Sequence, residues 1–311
     1  MGIRLYEEPK LKDPVLIASW PGIGNIGIIA VNYLRQMVKA RELGEIEPWD
    51  FFDPRRVLIE GGLLKELEFP SSKFYFQRTK NRDLMFFVGE QQPTETGTPY
   101  PGGRKVLEIA NLVLDVALRF GCRRVYVSGA ALAPIHHTAR PRVWAVPNSE
   151  SLVSEVRSYE NTVLMSDVEG RGGQGSITGL NGLLLGVAKK RGLEAVCVLG
   201  EIPFYLQGLA MVYPKASKSV LEVLTKILEI EIDFSTLDKM VAQVEQGIGN
   251  LEEQFYQQTP PEVAERIRTW LESFKHKPAE SRPITEEDQK WLKEHIDELF
   301  KRGGEEDDRP L

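Results

Sequence analysis

The chain has 311 residues, 42% of them hydrophobic and 27% charged, with a net charge of −6 and a pI of about 5.5. This composition excludes a mostly disordered chain, a collagen-like chain and a disulfide-stapled mini-protein. The length suits one large domain with an appendage, or two ordinary domains.

An acidic balance without any Lys/Arg-rich run argues against nucleic acid as a partner. No run of 18 apolar residues exists, so no membrane span is expected. Residues 1–8 lack an apolar core and carry acids early, so no signal peptide is expected there. Cys122 and Cys197 lie within or beside apolar segments, far apart in sequence. They read as buried free thiols of a protein of the reducing cytoplasm.

In chain order, residues 15–20 form an apolar run that stops at Pro21-Gly22 and reads as a buried strand. Residues 25–41 follow, with Ile28, Ile29, Val31, Leu34, Met37 and Val38 at helical spacing. Residues 56–60 are a second short strand, stopped by Gly61-Gly62. Residues 73–78 alternate, turn at Lys80-Asn81-Arg82, and pair with 84–88 as a hairpin. A helix over 104–120 is apolar except for one stripe of Glu108, Asn111, Asp115 and Arg119, so most of its circumference must be covered. Strands at 124–128, 143–146 and 195–199 and helices at 178–191 and 217–230 complete this part. Strands separated by helices predict a largely parallel sheet with helices on both faces, a single α/β domain over residues 1–232.

Residues 233–301 read as a helical C-terminal extension. Leu237, Val241, Val244, Ile248, Leu251 and Phe255 recur every four and three residues, a heptad seam. One helix packed on its own domain and a helix packed on another subunit both fit that spacing. Pro260-Pro261 opens another helix, with Trp270 and Phe274 on its apolar face. Residues 277–283 are a polar linker, Thr285 caps a last helix, and 302–311 are an acidic disordered tail.

Several residues are candidates for chemistry. Gly22-Ile23-Gly24-Asn25-Ile26-Gly27 is a GxGxxG between a strand and a helix, where backbone N–H groups can approach an anion. The acid that a dinucleotide site needs some twenty residues on is missing, and a tight structural turn explains the same glycines. Three strands end in a glutamate beside glycine: Glu60, Glu90 and Glu201. In a parallel sheet those ends share one edge, and three carboxylates gathered there could serve a ligand or acid–base work. Hydrogen bonds from turn amides are the plainer role. The glycine-rich loop 170–176 lacks the ending of a P-loop, and His136-His137 do not form a pair suited to one metal. No metal site, cofactor or catalytic constellation is expected.

The stretches Pro21-Gly22-Ile23-Gly24-Asn25-Ile26-Gly27, Gly89-Glu90-Gln91-Gln92-Pro93, Thr178-Gly179-Leu180-Asn181-Gly182-Leu183-Leu184-Leu185-Gly186, Gly200-Glu201-Ile202-Pro203-Phe204-Tyr205 and Pro214-Lys215-Ala216-Ser217 occur in this order. As an ordered set over about residues 15–230 they resemble the proteasome assembly chaperone family, in its archaeal and bacterial branch. The resemblance implies a three-layer α/β/α sandwich, phosphorylase/hydrolase-like, that self-assembles and binds proteasome core subunits without chemistry of its own. It also implies a C-terminal docking tail with a penultimate tyrosine, where this chain has Arg309-Pro310-Leu311. The leading expectation is a non-catalytic, cytoplasmic homo-oligomeric chaperone or scaffold. Helix 104–120 and the heptad seam are its candidate subunit contacts. The alternative is a small-molecule or phosphate-binding enzyme on a phosphorylase-like scaffold, using Gly22, Gly24, Asn25 and Gly27 opposite Glu60, Glu90 and Glu201.

Overall fold

The computed structural model describes residues 2–94, 103–168 and 175–275. The strands are β1 (Ile3–Leu5), β2 (Val15–Ser19), β3 (Arg41–Ile46), β4 (Arg56–Glu60), β5 (Leu63–Glu68), β6 (Ser72–Gln77), β7 (Leu84–Gly89), β8 (Arg124–Ala133), β9 (Val143–Pro147), β10 (Thr162–Leu164) and β11 (Glu194–Pro203). The helices are α1 (Ile26–Met37), α2 (Gly103–Arg119), α3 (Val153–Arg157), α4 (Gly179–Lys190), α5 (Pro214–Leu228), α6 (Ser235–Gln258) and α7 (Pro261–Glu272).

Nine strands form one sheet in the order β1-β3-β6-β7-β2-β8-β11-β9-β10, and β4-β5 stand apart as a two-stranded hairpin. The strands β7, β2, β8 and β11 run parallel at the centre. The pairs β1-β3, β3-β6, β6-β7 and β11-β9 are antiparallel, as is β4-β5. The sheet is therefore mixed, with antiparallel pairs in the majority once the hairpin is included. This corrects the largely parallel, phosphorylase/hydrolase-like sheet expected from the sequence. For β7 after β6 and for β9 after β8 the cause is the length of the connection. A parallel crossover needs a dozen or more residues, usually a helix. Residues 78–83 and 134–142 are too short for one, so the chain turns back and the next strand runs the other way.

Each central strand is buried on both faces, as parallel strands with helices above and below require. Along β2, Leu16 and Ala18 join one core with Val113 and Leu114 of α2 and Leu184 of α4. Val15 and Ile17 face the other way, into a second core with Val31 and Leu34 of α1 and Val220 and Leu224 of α5. This is the period-two alternation of a strand.

Helix α2 buries Val106, Ile109, Ala110, Val113 and Leu114 but leaves Leu107 and Leu118 exposed. Helix α6 turns part of its heptad seam inward. Leu237 and Ile248 are buried in the second core and Val244 packs against it. Val241 and Phe255 are half-buried, and Leu251 is exposed. Helix α7 closes on the loop after β11, where Phe204 meets Trp270 and Phe274 edge-on. Among the described residues no helix is long and apolar enough to cross a membrane. The linker 277–283, the last helix, the tail with Arg309-Pro310-Leu311, and residues 170–174 of the glycine-rich loop lie outside the described residues.

Candidate functional site

The stretches that the sequence singles out meet at one edge, where β2, β7 and β11 end. Trp20 and Pro21 follow β2, and the chain then makes a single tight turn into α1. Gly24 and Asn25 are left-handed there, with φ of 59° and 50°. A Cβ on Gly24 would lie 3.0 Å from Ile202 and 3.1 Å from Tyr213, and one on Gly27 would collide with the Ser128 carbonyl. Gly22 is extended and has open space around it. The turn's glycines thus let α1 lie directly on β2 and β8. Its backbone is also engaged: the Asn25 amide donates to Gly22 O at 2.9 Å, and Tyr213 N donates to Gly24 O at 2.8 Å.

Neighbouring polar side chains hold this turn. Gln92 donates to Pro21 O at 2.6 Å and accepts from Leu180 N at 2.8 Å, so it ties the turn to the start of α4. Asn181 accepts the Trp20 amide at 3.3 Å. The sequence marks these residues as parts of motifs but not as a clamp, because their partners lie 71 to 161 residues away.

The three glutamates are not brought together. Glu60 sits on the separate hairpin and pairs with Lys65 at 2.5 Å. Glu90 accepts from Arg55 at 3.1 Å and from Ser71 N at 3.0 Å. Glu201 is 1% exposed. Its Oε1 accepts from Arg142 Nε at 3.1 Å, Arg142 Nη2 at 2.9 Å and Trp144 Nε1 at 2.6 Å, and its Oε2 from the Arg142 amide at 2.8 Å. Two strands separate β7 from β11, a gap of about 14 Å at ~4.8 Å per strand. Each carboxylate is spent on its own cation.

Beyond β8, His136 and His137 are both buried and stack with centroids 4.1 Å apart. Thr138 N donates to His136 Nδ1 at 3.2 Å, which holds that nitrogen as an acceptor. Tyr205 Oη accepts the His137 amide at 2.7 Å and lies 3.1 Å from His137 Nδ1. Lys215 donates to His137 O at 3.0 Å, Thr138 O at 2.9 Å and Glu245 of α6 at 2.6 Å. This network seats α6 on the α/β domain. Burial, and then the neighbouring histidine, press the His136 pKa down from 6.5 to about 4; burial also lowers that of His137.

Between those two values the unfolded chain binds a proton that the folded chain refuses. Stability should therefore fall as the pH drops from 6.5 toward 4, with no further contribution from His136 below that. A His136→Gln variant should flatten this part of the profile. Urea midpoints at pH 7 and pH 4.5 for both proteins check it, and equal slopes would refute it.

The remaining groups offer little chemistry. Burial raises both Cys122 and Cys197 to about 12, so neither is a thiolate nucleophile near neutral pH. Among the described residues no group of three or more His, Cys, Asp or Glu could hold a metal ion. What the edge does is structural: it fixes two loops, a turn and a C-terminal helix against each other.

The model of the PAC2 family matches residues 16–252. The chain resembles the crystal structure of Pyrococcus furiosus PbaB, described as an archaeal proteasome activator. It is 30% identical to it, with 81% of this chain and 98% of that chain covered and a TM-score of 0.67. It also shares its fold with P. furiosus PbaA, described as an archaeal homolog of proteasome-assembly chaperone. That likeness is 24% identity over 88% of this chain and 98% of that one, with a TM-score of 0.60. An uncharacterised protein of Methanocaldococcus jannaschii is 25% identical over 283 residues, 91% of this chain and 93% of that protein.

Proposed function

The chain belongs to the PAC2 family, and from that premise we propose a non-catalytic, homo-oligomeric protein-binding chaperone or scaffold whose partners are proteasome core subunits. The family match over residues 16–252 carries this reading. The likeness to a proteasome activator supports the choice of partner. The geometry agrees with it, because among the described residues Glu60, Glu90 and Glu201 are apart from one another and each is taken up by a partner within the chain. The cytoplasm is the proposed compartment, in keeping with two buried free thiols.

Two experiments test the reading. Light scattering at micromolar concentration should give a multiple of 35.1 kDa, and a monomer mass would remove the homo-oligomer. Tagged protein purified from its own cells should carry proteasome α- or β-type subunits above an untagged control. Recovery of the protein alone, from cells that express a proteasome, would overturn the assigned partner.

A further inference from the structure

Helix α6 runs for 24 residues, yet only Leu237 and Ile248 are buried along it, and α7 buries only Ala264. Met240 and Val244 pack partly against the second core. Elements that bury so little apolar surface are the ones that open locally, below the free energy of global unfolding. Much of what holds these two helices to the α/β body is polar.

The near end of α6 is pinned. Glu229, left-handed with φ of 53°, ends α5, and residues 230–234 lead into α6. Tyr33 Oη donates to Asp233 O at 2.7 Å, and Lys218 pairs with Asp238 at 2.6 Å.

The far end closes on the two buried histidines. Lys215 holds the carbonyls of His137 and Thr138 and reaches Glu245 of α6. Two turns further along α6, Glu252 Oε2 lies 3.7 Å from His137 Nε2, and Glu252 Oε1 accepts from Tyr256 Oη at 2.9 Å. On the body side, Tyr205 Oη lies against His137 Nδ1, and Tyr213 Oη donates to His137 O at 3.3 Å. Lys275, just after α7, lies near enough to repel a charge on either ring, and it pairs with the exposed Glu272 at 3.5 Å.

We propose that α6 and α7 form a strap that opens as one unit about residues 229–234 when the buried histidine pair takes up a proton, while the α/β body stays folded. Charge balance is the first support. Lys215 and Lys275 face the pair against Glu245 and Glu252, and their charges cancel only while both rings are neutral. A proton on either ring adds an uncompensated charge to a buried site, beside a second ring 4.1 Å away. Hydrogen bonding is the second. Thr138 N already donates to His136 Nδ1, so protonating that nitrogen breaks the bond. Once the strap opens, the rings meet water and titrate near the ordinary value of about 6.5. Below that value, proton uptake favours opening by roughly tenfold per pH unit for each histidine. The closed strap also covers Phe204 with Trp270 and Phe274. Opening bares Phe204, Tyr205 and Lys215, which lie in two of the ordered motifs.

The test is amide hydrogen exchange of the full chain at pH 7 and pH 5, read by mass spectrometry and corrected for the intrinsic rate. Peptides from residues 240–272 should lose protection by ~30-fold or more at pH 5. Peptides from β2, β8 and α4 should keep theirs. Unchanged protection of the strap would overturn the proposal. So would a loss shared equally by strap and body, which would make the effect global unfolding. In His136→Gln, whose amide does not take the proton, the loss should shrink by that same factor. A loss as large as in wild type would overturn the histidine pair as the trigger. The wild-type comparison needs no variant, so it decides the strap even where the substitution loosens α6 at pH 7.

Discussion

Replacing Glu201 by alanine should destabilise the protein by about 3 kcal/mol and lower its thermal midpoint by roughly 5 °C. The carboxylate is buried and accepts four hydrogen bonds from Arg142 and Trp144. Without it, a guanidinium that is only partly exposed and a buried indole N–H lose their acceptor together. Removing one partner of a buried pair costs far more than the pair's net worth, because the other charge stays desolvated. Glu201→Gln should cost less, since an amide oxygen can still accept from Trp144. Thermal and urea unfolding of the two variants should show that order. Equal, small losses would mean that water replaces the carboxylate and that Glu201 is free for another task.

The second large effect lies in the glycine turn, where two glycines of one motif should behave oppositely. Gly27→Ala places a methyl group against the Ser128 carbonyl, a backbone atom that cannot move without shifting β8. Overpacking of that kind costs about 1–3 kcal/mol, and Gly27→Val, adding two further methyl carbons, should exceed it. Gly22→Ala should be neutral to within about 0.5 kcal/mol, since Gly22 is extended with nothing within 4 Å of a new Cβ. Urea midpoints and soluble yield read the contrast. A costly Gly22→Ala would show that its open space is needed, as a bound anion would need it.

Much of the architecture was legible because it rests on local signals. The apolar runs ending in Gly or Pro mark β2, β7, β8 and β11. The helical spacing marks α1, α4, α5 and α6. The lysine-asparagine turn marks the β6-β7 hairpin, which the register confirms. Strands with few buried residues escaped. In β3, Arg41-Glu42-Leu43-Gly44-Glu45-Ile46, only Leu43, Gly44 and Ile46 are buried, so its start reads as the end of the preceding helix. β5 was invisible because its three leucines all stay exposed, Leu63 and Leu64 most of all, so no buried face marks it.

By itself the sequence determined the layered α/β character, the ordered motifs that identify the family, and the tight turn at Gly22–Gly27, because each depends on residues adjacent in the chain. Strand direction, the partners of Glu90 and Glu201, and the inward use of the α6 seam were decided only in three dimensions. Arg142 lies 59 residues from Glu201, and Arg55 lies 35 from Glu90. A carboxylate has the same composition whether it meets a ligand or its own chain's arginine. Which one it meets depends on how the connections route the strands, and a one-dimensional pattern does not carry that information.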